Sequence, residues 1–288
     1  MKIKFSLLTL PIVTVALVQS STTVIADDLA QMISPVSQPV IFEDPRHSTE
    51  LRPIFVHHEL QDDFVTGGGD VQVYALQARF KLTDDLSLIA VKDGIVDLNP
   101  SAVVPSDTGI ADIAAGLKYS FFKCDTAIAT AGLTYEIPLG DEDILQGQGD
   151  GMFNPFLSAG AVQGNWNFMG HTGYRIRVDD ADSSFFDLNA HVSYKVDNFY
   201  PLVELGLNHV TNSGNRLPIA DEGQDYFNFG AANSAGENLI SMSVGARYRL
   251  ADNIDVGAAY QFPLEREEGS NVLDWRITAD MIIRFSLV

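Results

Sequence analysis

The stretch DWRITADMIIRFSLV, residues 274–288, decides the fold. Trp275, Ile277, Ala279, Met281, Ile283, Phe285 and Leu287 make one alternating row, and Arg276, Thr278, Asp280, Ile282, Arg284 and Ser286 make the other. Side chains of a strand point alternately to opposite faces, so a period of two describes a strand lying between two different solvents. One row is apolar throughout. The other is polar except at Ile282.

The same alternation runs upstream. Ala111, Ile113, Ala115, Leu117, Tyr119 and Phe121 stand against Asp112, Ala114, Gly116, Lys118 and Ser120. Phe186, Leu188, Ala190, Val192, Tyr194 and Val196 stand against Asp187, Asn189, His191, Ser193 and Lys195. These runs exceed the roughly five or six residues of a globular strand. Strands are predicted at 51–58, 70–82, 86–93, 108–122, 126–137, 153–163, 165–178, 184–196, 199–210, 238–250, 253–263 and 272–287. Tight connections at 83–85, 123–125, Gly164, 197–198 and 251–252 alternate with longer ones at 59–69, 94–107, 138–152, 179–183, 211–237 and 264–271. Short turns at one end and long loops at the other are the plan of a membrane barrel. The expected fold is therefore all-β: a closed, antiparallel, up-and-down transmembrane β-barrel of about twelve strands.

Alternation alone does not say which row is outside. A barrel of about twelve strands is too wide for side chains to fill as a dry core. Aromatics gather near predicted strand ends, at Tyr74, Phe80, Tyr119, Tyr135, Trp166, Tyr174, Tyr194, Tyr248 and Tyr260, where membrane barrels carry interfacial girdles. The polar rows mix charges with Gly, Ser and Thr, as a wet lumen tolerates. The apolar rows are thus expected to face lipid. On this reading Arg at Met281 is costly and Arg at Thr278 is tolerated. The closing strand is expected to pair with the first strand near Ile54.

The 288 residues carry a formal charge of −20. That acidity opposes binding to nucleic acid, whose phosphates need Lys and Arg. Cys124 is the only cysteine, so neither an internal disulfide nor a thiolate metal site is available. Lys2 and Lys4 precede a mostly apolar run from Phe5 to Val18, and small or aliphatic residues lead up to Ala26. This reads as a signal peptide over 1–26, shorter than the roughly 20 apolar residues of a spanning helix. No later apolar run is long enough for a helical span, so residence in a membrane requires a closed barrel. Residues 27–50, with Pro35, Pro39 and Pro45, read as an irregular periplasmic lead-in that partly plugs or lines the lumen, and 51–288 as the barrel.

Strands such as GIADIAAGLKYSFF (109–122) and ISMSVGARYRLADNIDVGAAYQFPL (240–264) resemble those of bacterial outer-membrane barrels of the porin-like group, which includes the family labelled meta-pathway phenol-degradation proteins. The resemblance covers roughly residues 50–288 and lies in pattern rather than in an invariant motif. It implies passage or binding of small molecules at the cell surface, and it brings no catalytic residues and no cofactor. The closing strand also resembles the barrel assembly signal. It departs from that signal by placing Ser286, Leu287 and Val288 after Phe285.

Chain direction gives each inward charge a height. Arg79, Lys81, Lys118, Lys195, Arg247, Arg249 and Arg284 fall near the periplasmic end. The lumen acids are Asp112, Glu136, Asp187, Glu204 and Asp280, the first three nearer the outer end. Outer loops add Asp141, Glu142, Asp143, Asp150, Asp221, Glu222, Asp225, Glu265, Glu267 and Glu268. An acidic outer mouth above a basic inner rim fits a channel or transporter for small solutes. The same charges also fit a structural or surface-interaction barrel whose lumen is closed by salt bridges. Expected partners are outer-membrane lipid, a small solute and, at the acidic loops, divalent cations. One stretch points elsewhere. NHVTNSGN (208–215) resembles the His-x-Ser-Asn stretch of outer-membrane phospholipases, with Thr211 in the serine's place. A lipid-modifying hydrolase is the third reading, with His209 as base. His57 and His58 adjoin in a strand and so point to opposite faces.

Overall fold

A computed structural model describes residues 28–264 and 272–286. The signal segment 1–26 and the loop acids Glu265, Glu267 and Glu268 lie outside the described residues. Fourteen strands are present: β1 (Glu50–Leu60), β2 (Gly69–Lys81), β3 (Leu86–Lys92), β4 (Ile95–Pro100), β5 (Asp107–Ile110), β6 (Ile113–Lys123), β7 (Ala127–Ile137), β8 (Met152–Gln163), β9 (Trp166–Arg177), β10 (Ser184–Tyr194), β11 (Phe199–Asn212), β12 (Asn238–Ala251), β13 (Ile254–Pro263) and β14 (Leu273–Arg284). Every pairing is antiparallel, and β1 pairs with both β2 and β14, so the sheet closes on itself. In the closing seam Ile54 stands opposite Asp280 and Glu50 opposite Arg284.

Two barrel strands are each interrupted once, which brings the closed wall to twelve. The periplasmic half of β2 pairs with β3 and its outer half with β4. The break falls at Gly94, which has φ +119°; a Cβ there would lie 2.5 Å from the Tyr74 carbonyl oxygen. Only glycine fits that approach, and it splits one strand into what reads in sequence as a strand followed by a long loop. The expected loop 94–107 therefore shrinks to the segment between β4 and β5. β5 and β6 are likewise one strand broken at Ala111 and Asp112.

The parity is the one expected for a membrane barrel. Leu117, Leu133, Leu157, Leu188, Leu205 and Met281 are exposed on the outer face, whereas Lys118, Ser158, Asn189, Glu204 and Thr278 are buried inside. Met281 is 37% exposed and Thr278 only 1%. That second figure shows that the inside is filled. Residues 32–45 are almost all buried. Their hydrogen bonds run to inward side chains of β1, β2, β6, β7, β8, β11 and β12. The lead-in is a re-entrant segment inside the barrel. It starts with a short 3-10 turn at Asp28–Gln31 and turns back around Gln38, whose carbonyl accepts from Ile41 and Phe42.

The inward row is not polar everywhere. On the wall formed by β1, β2 and β4, Ile54, Val56, Val71, Val73, Val96 and Leu98 all point in. They form one apolar cluster with Val40 and Ile41 of the re-entrant segment and with Tyr226 and Phe229 of the outer loop 213–237. Segment and loop thus meet in an apolar layer across the interior.

Candidate functional site: the filled lumen and its outer mouth

In the periplasmic half, cationic side chains of the wall hold the re-entrant segment. Arg79 forms a two-point pair with Glu43, at 2.9 and 2.6 Å, and Lys118 Nζ donates to the same carboxylate at 2.7 Å and to the Asp44 carbonyl at 2.6 Å. Arg247 donates to the Ser34 and Pro35 carbonyls and forms a two-point pair with Asp280. Arg52 shares Asp280 and donates to Pro35 at 2.7 Å. Arg249 reaches the Ala30 and Met32 carbonyls, and Lys195 reaches Gln31. Arg284 and Arg249 share Asp255. Lys81 departs from the rest: its half-exposed side chain pairs with Asp84 at the turn.

Glu204 reverses the polarity. Its carboxylate accepts from the Val36 amide at 2.9 Å, the Ser37 amide at 2.7 Å, the Ser37 hydroxyl and His191 Nδ1 at 2.8 Å. Three of those four donors belong to the re-entrant segment. Gly206, on the same face of β11, leaves room for Gln38, whose side chain meets Asn189 and Ser241.

The outer acids are also paired. Asp187 accepts two bonds from Arg175 and one from Asn208. Glu136 takes Lys92 at 2.6 Å, and Asp112 accepts from the Gly140 and Gly147 amides. Four acids at this level each hold a cation: Glu136 pairs with Lys92, Asp187 with Arg175, Asp182 with Arg216 and Asp225 with Arg276. Alternation already put Arg276 inward and could have flagged Arg175, whereas Lys92 is out of step with inward Ser87 and Ile89 and turns in only at the register shift after Ala90. Their vertical match to the acids needed the strand register.

Over the mouth lies the loop 213–237, ordered around two buried side chains. The Glu222 carboxylate accepts from the amides of Gly223, Phe229 and Ala231. Asn228 accepts from the Ser183 and Gly230 amides and donates to the Ser183 carbonyl. Burial pushes the Glu237 carboxyl up to about 8, with Asp221 adding to the rise. Burial likewise lifts Asp182 to about 7 against the pull of Arg216. Beneath this lid, beside the apolar layer, is a cavity of about 420 Å³ lined mainly by Phe64, Leu98, Val104, Leu217, Phe227 and Phe229.

His209 lies on the outer face, where its Nδ1 meets Asn238 Oδ1 at 2.9 Å. This asparagine on the neighbouring strand was not identifiable from sequence. Thr211 does not complete a triad: its hydroxyl donates to the Ser184 carbonyl and meets the Tyr174 hydroxyl. His57 packs on Trp275 outside, while His58 accepts from Arg276 inside. Among the described residues no group of three His, Cys, Asp or Glu side chains is placed to hold a metal ion.

Residues 48–270 match the family described as "Putative MetA-pathway of phenol degradation". The chain belongs to that family. No match was found among curated proteins. The chain shares its architecture with solved outer-membrane barrels. An outer-membrane channel from Pseudomonas putida F1 is similar with a TM-score of 0.61 at 14% identity, covering 88% of this chain and 100% of that one. The NanC porin is similar with a TM-score of 0.51 at 10% identity, covering 83% and 100%. The β domain of the Bordetella autotransporter BrkA is similar with a TM-score of 0.50 at 10% identity, covering 83% and 100%. At these identities the likeness shows the porin-like outer-membrane barrel fold.

Proposed function

We propose that this protein is an outer-membrane channel for small solutes, held closed by its own residues 28–49. The observation that carries this is the inward row. Asn154, Asn167, Gln261 and Thr278 keep buried side-chain oxygen or nitrogen atoms with no protein partner. In a dry interior each such atom costs about 1–3 kcal/mol, so a lining of this kind suits a wet passage. The re-entrant segment takes no part in the strand ladders up to Ser48. It can leave without breaking the barrel. A channel and a porin among the solved structures with this fold support the reading.

Release of the segment removes Glu43 and Asp44 and leaves Arg79 and Lys118 facing the passage. The open lumen is then basic at its periplasmic end and favours anions. A barrel permanently closed by salt bridges is the second reading, favoured by the pairing of nearly every inward charge. Planar-bilayer recording separates the two. The full protein is expected to show rare openings, with a reversal potential of anion-selective sign in a KCl gradient. Verified insertion without conductance, persisting when the segment's anchors are removed, refutes the channel.

A further inference from the structure

We infer that the outer mouth carries a binding site for a compact, uncharged, mostly apolar molecule bearing one hydrogen-bonding group. The inference concerns binding at the mouth and does not rest on passage through the lumen.

The cavity under the loop 213–237 has a volume of about 420 Å³, within the range of roughly 300–1,000 Å³ that accommodates small molecules. Aromatic and aliphatic side chains supply most of its wall. Burial of an apolar ligand there is favourable at about 25 cal/mol per Å² of apolar surface.

The polar component is specific. Gln224 lines the cavity and is only 2% exposed, yet neither atom of its side-chain amide has a protein partner. Its own carbonyl accepts from Arg175 at 2.8 Å, Asp225 accepts from Arg276 at 2.8 Å, and the Tyr226 carbonyl accepts from Gln146 at 2.9 Å. Three pins therefore hold the segment 224–226 at the cavity wall, and the buried amide keeps a donor and an acceptor open there. A buried, unpaired amide in a native structure calls for a partner.

Charge on the ligand is disfavoured. Arg276, also on the wall, is already engaged by Asp225 and by His58 Nδ1. A carboxylate would bring a second anion next to Asp225, and a cation would face Arg276. Of the wall residues, Val65 and Val103 are 43% and 75% exposed. Val103 has φ +72°, a strained backbone for a β-branched residue and of the kind that gathers at ligand clamps.

The test uses the full protein in lipid nanodiscs and prodan, an uncharged naphthyl ketone whose emission reports an apolar site. Saturable one-to-one binding above lipid partition is expected, with no competition by 2-naphthoate. Leu217→Trp and, on a different loop, Val104→Trp fill the cavity and should each abolish the saturable component. Gln224→Leu keeps the apolar wall and should weaken binding about tenfold. Barrel folding is checked by heat-modifiable electrophoretic mobility. Purely non-saturable uptake by the wild type, or undiminished binding in either folded Trp variant, overturns the site. Conductance is not read in this assay, so its outcome is separate from that of the channel proposal.

Discussion

Glu204→Gln is the sharpest perturbation of the closed state. The substitution keeps the side chain's size and its acceptor for His191 on β10, so the β10–β11 ladder is undisturbed. What changes is the grip on the re-entrant segment. Val36 and Ser37 present two amides and a hydroxyl to a carboxylate. The glutamine offers them one oxygen and an NH2 group, which repels the remaining donors. Hydrogen bonds to a charged group contribute about 1.5–3 kcal/mol each and neutral ones about 0.5–1.5. Weakening two and losing one costs the closed state about 3 kcal/mol. At a factor of ten per 1.4 kcal/mol, the open-to-closed ratio rises about a hundredfold. Ser37→Ala removes the hydroxyl alone, a bond to a charged acceptor worth about 2 kcal/mol and about a thirtyfold rise. Single-channel open probability reads both, with folding checked by electrophoretic mobility. Open probabilities within twofold of wild type in both folded variants would refute the assignment of this carboxylate as a latch.

Other outcomes follow from the same structure. Asp280→Ala leaves Arg52 and Arg247 without their shared acid and should destabilise the protein by about 3–5 kcal/mol in urea unfolding from lipid. Met281→Arg places a charge against lipid and should cost about 2–4 kcal/mol in the same assay. Arg at Thr278, tolerable by alternation alone, should cost about 1–3 kcal/mol because the site is filled; a Met281→Arg variant as stable in lipid as the wild type would contradict the parity. Glu237 ionises only near pH 8 in the fold, against 4.5 as its ordinary value. The fold therefore favours its protonated form, and the lid's stability, complete below pH 4.5, declines as pH rises through 8. Protection factors of amides 222–237, which remove the intrinsic base-catalysed rise in exchange, should fall between pH 6 and pH 9, and Glu237→Gln should flatten that fall.

Much of the barrel was legible because its information is local. The row from Trp275 to Met281 and its polar counterpart fix a strand and its two faces, and the turns at 83–85 and 251–252 fix which ends are tight. The seam near Ile54 followed from closure. The interruption at Gly94 was not legible, since a glycine that bends a strand looks the same as one that ends it.

By itself the sequence determined an up-and-down barrel of about twelve strands and its parity, because alternation is a property of neighbouring residues and lipid imposes it along the wall. Only the tertiary structure decided what the lumen holds. Whether Glu43 reaches Arg79, Glu204 captures Val36 and Ser37, or Tyr226 meets Ile41 depends on contacts between residues far apart in the chain. Those contacts arise when the wall closes and leaves a polar space into which a short proline-bearing segment fits. No periodicity records them. The apolar cavity at the mouth has the same origin: Leu60 of β1, Val71 of β2 and Leu98 of β4 read as ordinary strand residues until Leu217, Phe227 and Phe229 of the lid come to stand against them.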